Sequence, residues 1–290
     1  MASSRDIQRR IKSVSNIGKV TRAMEAVSAS KMRRAQAATL ASRAYAHKAA
    51  EVMAYLRAQP GGAELMHPLL QDHPAGRPAL VLITPDRGLT GGLVLNIIRF
   101  ALREAEKLGE DVAWIAVGRK GRNFLARWRS GLIADFTGLS DTPSVLDITP
   151  VVRLVVDGFL SDEFSSVHMV YADFISVSRQ RPVREPLLPI AVPSDIKPLS
   201  SGYAFEPSPE DVLDELLPRL LELRLYPALL EGQASEHSAR MLAMRNATDA
   251  AADLALQPAD PLHEELVVQH PHDADELDPL EQRPGAVLGQ

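Results

Sequence analysis

There is no cysteine among the 290 residues, which excludes disulfides, thiol catalysis and cysteine-ligated zinc. Aromatic residues make up only 5% of the chain while alanine and leucine abound, a balance that favours long helices over β-sandwiches. No apolar run approaches the roughly 20 residues needed to cross a bilayer. The opening residues, MASSRDIQRR, lack the apolar stretch of a secretory leader, so a soluble intracellular protein is expected. Histidine offers no metal cage. His263, His270 and His272 lie in an acidic, proline-rich tail, and His237 sits beside Glu236 in a helical pattern, where a packed polar role is expected. Ser235, Glu236, His237 and Ser238 leave one helix in different directions and make no nucleophile–base pair. No catalytic residue, metal site or cofactor site is expected.

What is present is uneven in charge. Residues 1–58 hold twelve bases and three acids, whereas residues 257–290 hold eight acids and one base, Arg283. The middle is near neutral. Residues 4–58 contain no proline and one glycine, Gly18. Ile7, Ile11, Val14, Ile17, Val20, Met24 and Val27 recur by threes and fours, which predicts a helix buried along that stripe. At 1.5 Å per residue it would be about 80 Å long and must pack lengthwise on something. Its partner is expected at the other end. Leu216, Leu220, Leu223, Pro227, Leu230, Ala234, His237, Met241, Met244, Thr248, Ala251 and Ala255 step 4-3-4-3, the heptad of a coiled-coil seam. Pro218 and Pro227 should kink that helix or delay its start. Two separate amphipathic helices on a core are the alternative.

Between the termini the pattern predicts strands at Ala79–Thr84, Val112–Val117, Val167–Ile175 and Leu187–Val192. Helices are expected at Leu93–Leu108, Lys120–Trp128 and Val151–Phe159. This alternation implies a Rossmann-like, three-layer α/β domain with a largely parallel sheet. The division expected is 1–58 for the first helix, 77–200 for the α/β domain, 208–256 for the second helix, and 257–290 for a disordered or loosely docked tail. Five prolines stand in those last 34 residues, and a helix interior tolerates each only at a cost of about 3 kcal/mol.

One motif invites a ligand. TPDRGLTGGL, Thr84–Leu93, is a glycine-rich turn between a strand and a helix, where phosphates are often held. It lacks both the Lys-Ser/Thr of a P-loop and the G-x-G-x-x-G spacing of a dinucleotide site. Asp86, Arg87, Gly88, Gly91 and Gly92 therefore read as a structural turn built around an Asp86–Arg87 interaction. The basic SKMRRAQ stretch (Lys31, Arg33, Arg34) reads as a solvated face or one matched to an acidic protein, not as a nucleic-acid site.

Three stretches resemble a known family. They are Ile11–Gln36 (IKSVSNIGKVTRAMEAVSASKMRRAQ), the TPDRGLTGGL turn with Thr90 where Cys is common, and the pair Tyr203–Leu217 (YAFEPSPEDVLDELL) and Leu225–Ala252 (LYPALLEGQASEHSARMLAMRNATDAAA). Together they are similar to the gamma subunit of the F-type ATP synthase, and the resemblance spans residues 5–256. It implies a non-catalytic central rotor shaft, its terminal helices paired as an antiparallel coiled coil, with torque passing between the membrane c-ring and the alpha–beta hexamer. The implied partners are the alpha, beta and epsilon subunits and the c-ring, and the implied place is the cytoplasmic face of a bacterial inner membrane, peripherally. Lys19, Arg22 and Met24 match the passage beside the acidic loops of beta, and Arg240 matches a polar contact with beta. Lys31, Arg33, Arg34, Tyr203 and Phe205 match the foot near the c-ring. From Gln257 the sequence departs from the family's shaft tip, so weaker coupling is expected, with Ile7, Ile11 and Val14 short of a partner. A coiled-coil adaptor without rotary duty and a nucleotide-binding α/β enzyme are the other readings.

Overall fold

The computed structural model describes residues 4–58, 67–109, 111–128, 131–191 and 209–256. Ten main elements follow in order: α1 (Ser4–Ala58), β1 (Arg77–Ile83), α2 (Leu93–Leu108), β2 (Ala113–Val117), α3 (Arg119–Trp128), β3 (Leu132–Phe136), α4 (Thr149–Leu160), β4 (Phe164–Ser176), β5 (Arg179–Leu188) and α5 (Pro209–Leu256). The chain divides into two compact units. One joins Met1–Ala23 to Arg245–Gln290, and the other is Met24–Met244. Among the described residues no helix is long and apolar enough to cross a membrane.

The larger unit is built on a five-stranded mixed sheet of order β3-β2-β1-β4-β5. β1 pairs in parallel with β2 and β4, β2 with β3 in parallel, and β4 with β5 antiparallel. β1 lies at the centre and is apolar on both faces, Ala79 to Ile83 being at most 4% exposed. Alternation then divides its side chains. Ala79, Val81 and Ile83 join a core with α4 and α5, while Leu80 and Leu82 join a second core with α2 and α3.

The predicted strands at 79–84, 112–117 and 167–175 and all three internal helices are found within a few residues. Of the strand expected at Leu187–Val192 only Leu187 and Leu188 are found, as the end of the edge strand β5; residues 189–191 are not strand, and Val192 lies outside the described residues. With three arginines and two prolines, RQRPVREPLL has the composition by which edge strands resist pairing with other chains, and this masks its strand character. β3, LIADF, was not foreseen, being five residues long and only partly buried at the other edge.

α5 runs unbroken through Pro218 and Pro227, so neither delays its start. Their flanks hold the helix: Leu217, Leu221, Leu225, Ala228 and Leu229 are buried in the core under the sheet. Burial at about 1.5–3 kcal/mol for each large side chain offsets the lost backbone donors. The heptad predicted for α5 is buried or half-buried at each step from Leu216 to Ala255.

The stripe on α1 requires correction. Ile17, Val20 and Val27 are 53%, 58% and 54% exposed. The covered face instead runs through Ile7, Ile11, Val14, Gly18, Thr21, Glu25, Ser28, Met32, Ala35, Thr39 and Ser42, again a 4-3-4-3 step. It is composed largely of small and hydroxyl residues. The hydroxyls are satisfied within the helix, Thr21 Oγ1 donating to Gly18 O, Ser28 Oγ to Met24 O and Thr39 Oγ1 to Ala35 O. Ile7 is also buried, and Ile11 and Val14 are half-buried, so this end of the helix is not left bare as expected.

In the smaller unit the two long helices meet. An added Cβ on Gly18 would lie 3.6 Å from Ala251 Cβ, and the Thr21 and Thr248 hydroxyls hydrogen-bond at 2.7 Å. Three residues up α1 correspond to three residues down α5, an antiparallel register. The predicted tail, 257–290, lies outside the described residues.

Candidate functional site

The glycine-rich turn lies at the carboxyl end of β1, the edge where open α/β sheets commonly take ligands. A cavity of about 430 Å³ opens here, lined by Asp86, Arg87, Arg119, Asp141, Gln233, Glu236 and His237 among others. Its natural anion-binding feature would be the N-terminus of α3, and that is already occupied by the chain itself. Arg119 N–H donates to Asp86 Oδ1 at 2.7 Å, Lys120 N–H to Pro85 O at 3.1 Å, and Gly121 N–H to Thr84 Oγ1 at 2.8 Å. The other Asp86 oxygen accepts from Gly138 N–H at 2.8 Å. Asp86 is thus an internal anion that ties three loops together, in place of the predicted Asp86–Arg87 interaction. A phosphate would have to displace it. Among the described residues no cluster of His, Cys, Asp and Glu could hold a metal ion.

The turn is shaped by its glycines and by one strained residue. Gly91 has φ +55° and Leu89 φ +63°, and Gly92 precedes the first turn of α2. Gly88 matters through its carbonyl. Arg240, 152 residues away on α5, donates to Gly88 O from Nε and Nη2, both at 3.2 Å, and from Nη2 to Glu236 Oε1 at 2.6 Å. The Arg240 and Glu236 side chains are only 10% and 14% exposed, so this is a buried ion pair. Burial pushes the Glu236 carboxyl up, with the Arg240 charge partly offsetting it. Burial, with Arg240 second, pulls His237 down to about 4 and leaves it neutral at pH 7. Nearby, Lys31 on α1 is bonded to Asp141, which it holds below the usual carboxylate range.

These features describe a joint between elements and not a reaction centre, and comparison with known proteins agrees. A family model described as ATP synthase matches residues 3–257. The ATP synthase gamma chain of Herpetosiphon aurantiacus is 47% identical over 263 residues, covering 88% of this chain and 89% of the relative. That of Roseiflexus castenholzii is 47% identical over 259 residues with the same coverage. The chain belongs to the ATP synthase gamma-chain family. Solved structures share its fold. A chain of the Tetrahymena thermophila mitochondrial ATP synthase central stalk and c-ring matches with TM-score 0.61 at 23% identity, covering 79% of this chain and 99% of its own. One from the Euglena gracilis mitochondrial ATP synthase rotor matches with TM-score 0.62 at 15% identity, covering 91% and 97%.

With the gamma-chain family established, the residues expected to meet partners fall into three groups. Lys19, Arg22, Arg33 and Arg34 are exposed on α1, and Met24 is half-buried. Lys31 and Arg240 are engaged within the chain, to Asp141 and to Gly88 and Glu236. Tyr203 and Phe205 lie outside the described residues. The sequence reading passed over Thr21 and Gln233 and gave Ser235 and Ser238 no bonding role; all four bond across long sequence separations. For Thr21 the signal was available, since Thr21 and Thr248 both occupy 4-3-4-3 positions.

Proposed function

We propose that this gamma-family chain is the central rotor shaft of an F-type ATP synthase, a non-catalytic subunit that carries torque between the c-ring and the alpha–beta hexamer. The observation that carries the reading is the 47% identity to gamma chains, extending through both terminal helices. In this reading α1 and α5 form an antiparallel coiled coil and residues 77–200 a Rossmann-like foot. The shaft helices correspond to 1–58 and 208–256. The exposed surface of α1 that carries Ile17, Lys19, Val20, Arg22 and Val27 is turned toward alpha and beta. Their exposure supports it: three β-branched side chains more than half exposed on one helix face are unusual unless a partner covers them. Arg33, Arg34, Tyr203 and Phe205 face the c-ring and epsilon. The complex sits at the cytoplasmic face of a bacterial membrane, the chain itself being peripheral.

We further propose that residues 257–290 replace the family's shaft tip and loosen coupling. The end of the family match at residue 257 and the acid-rich composition beyond it support this. Co-expression with alpha and beta subunits of a bacterial relative tests both statements. Co-elution of all three with magnesium-dependent ATPase above that of alpha and beta alone is expected; separate elution of the chain overturns the rotor reading. Replacing residues 257–290 by the C-terminus of the Herpetosiphon gamma chain should raise coupled ATP synthesis, and no increase would remove the case for a defective tip.

A further inference from the structure

Resting on the rotor reading, a second question arises within the larger unit: how the shaft helix is kept from turning inside the foot. Apolar packing of Leu217, Leu221, Leu225 and Leu229 is strong but non-directional, and it does not by itself fix the helix at one angle about its axis. Directional bonds are needed to resist rolling. α5 makes them on two sides.

On one side, Glu222 accepts from Thr149 Oγ1 at 2.8 Å, Tyr226 OH donates to Pro143 O at 2.9 Å, and Gln233 Nε2 donates to Ser140 O at 2.8 Å. Arg240 completes the row at Gly88 O. At 100° per residue these four positions lie within about 40° of one another around the helix. The other side carries Arg224 to Pro186 O at 2.7 Å, Ser235 to Ala172 O at 2.9 Å and Ser238 to Val177 O at 2.6 Å. These stand about 160–220° round from the first row. One row holds the loops that follow β1 and β3 together with the start of α4, and the other holds the β4–β5 hairpin.

The acceptors strengthen the case. Six of the seven bonds end on backbone carbonyls, which are fixed by the sheet and its turns and cannot swing to follow a rolling helix. On the side of β4 away from β5, β1 pairs only as far as Val170, two residues before Ala172. Ser235 and Ser238 are fully buried, so water does not compete for their bonds.

We propose that these two opposed rows form a spline that locks the shaft helix to the α/β foot, so that torque applied to one is delivered to the other without slip. A pair of grips on opposite sides resists rotation as a couple, more strongly than a single row of hydrogen bonds.

The test uses proteoliposomes holding the complete ATP synthase of a gamma-chain relative with this chain in place of the resident one. Ser235→Ala/Ser238→Ala removes most of one row while changing little volume. ATP hydrolysis without load should stay within about twofold of wild type, and ATP synthesis driven by an imposed ion gradient should fall at least fivefold. Because the chain has no cysteine, Gln233→Cys and Ser140→Cys can be added to that variant and joined by a short bismaleimide, which should restore synthesis. The spline is overturned if synthesis is unchanged, if synthesis and hydrolysis fall together, or if the cross-link leaves synthesis low. A wild-type chain that does not assemble with alpha and beta refutes the rotor reading, and the spline falls with it. Slip in an assembled, active complex is a separate readout.

Discussion

Replacing Arg240 with methionine removes the positive charge from a buried pair and leaves Glu236 beside the cavity without its counter-ion. The size of the effect follows from what Glu236 can then do. Kept ionised in a site that already pushes its pKa upward, it pays the desolvation cost alone; protonated, it escapes that cost. Protonation sets the ceiling. Starting from an ordinary value of 4.5, taking up a proton at pH 7.5 costs about 4 kcal/mol at 1.36 kcal/mol per unit, and at pH 5.5 about 1.4 kcal/mol. The sign agrees with linkage. A carboxyl whose folded pKa is raised is least harmful at low pH, and stability is lost as pH rises through that value. The two bonds to Gly88 O add on the order of 1 kcal/mol, because that half-buried carbonyl can be rehydrated. Thermal unfolding of the purified chain, followed through the buried Trp114, should show a fall on the order of 10 °C at pH 7.5, at about 2–4 °C per kcal/mol. The fall should be less than half as large at pH 5.5. Glu236→Gln/Arg240→Met should recover most of the loss and abolish its pH dependence. An equal penalty at both pH values, or a double variant as unstable as Arg240→Met alone, would refute the reasoning and leave Arg240 free for the partner contact that its sequence context suggested.

Three other outcomes follow from single positions. Gly18→Ala should raise stability by about 0.5–1 kcal/mol in thermal melts, since the added Cβ meets Ala251 at an ordinary 3.6 Å and helix propensity improves. Gly18→Leu, which cannot fit there, should lower it. Gly118→Ala places a Cβ 1.8 Å from Thr84 O at φ +102°, and should cost more than about 2 kcal/mol, read as loss of folded yield or of the cooperative melt. His237, buried neutral with its pKa near 4, should account for up to about 3 kcal/mol lost between pH 6.5 and 4, because the unfolded chain binds that proton first. In His237→Gln, urea midpoints across this range should decline more shallowly than in wild type.

Legibility from sequence varied with how much of each element's environment was local. α2 is legible to its observed bounds, Leu93–Leu108, because its apolar residues recur on one helical face. β1 was read because a strand buried on both faces is a continuous apolar run. β5 was misplaced for the opposite reason: an edge strand is written in arginine and proline, and its neighbour LLPIAV looked more like a strand. At the candidate site, the turn was seen but its wiring was not. Asp86 reaches Arg119 and Gly138, and Arg240 reaches Gly88, across 33, 52 and 152 residues. No local pattern encodes such partners. Ser235 and Ser238 were judged to point in different directions, which is correct, and the directions are those of two separate carbonyls on the β4–β5 hairpin.

The misread face of α1 has a physical logic of its own. Reading by size selected the large residues Ile17, Val20 and Val27, yet the face that α1 covers is set by Gly18, Thr21, Ser28 and Ala35. Small residues let two helix backbones approach closely, as the Gly18–Ala251 and Thr21–Thr248 contacts do. Leucine in their place would bury more apolar area, at about 25 cal/mol per Å², but would force the helices apart. A pair held by close approach and interhelical hydroxyls spends little of its large apolar surface internally. Ile17, Val20 and Val27 therefore remain on the outside, where they serve the helix pair itself not at all. Selection of such residues for an isolated helix pair would be a defect, inviting aggregation. In the rotor reading proposed above, they would supply an apolar, weakly directional surface, able to meet successive partners without being held by any one of them.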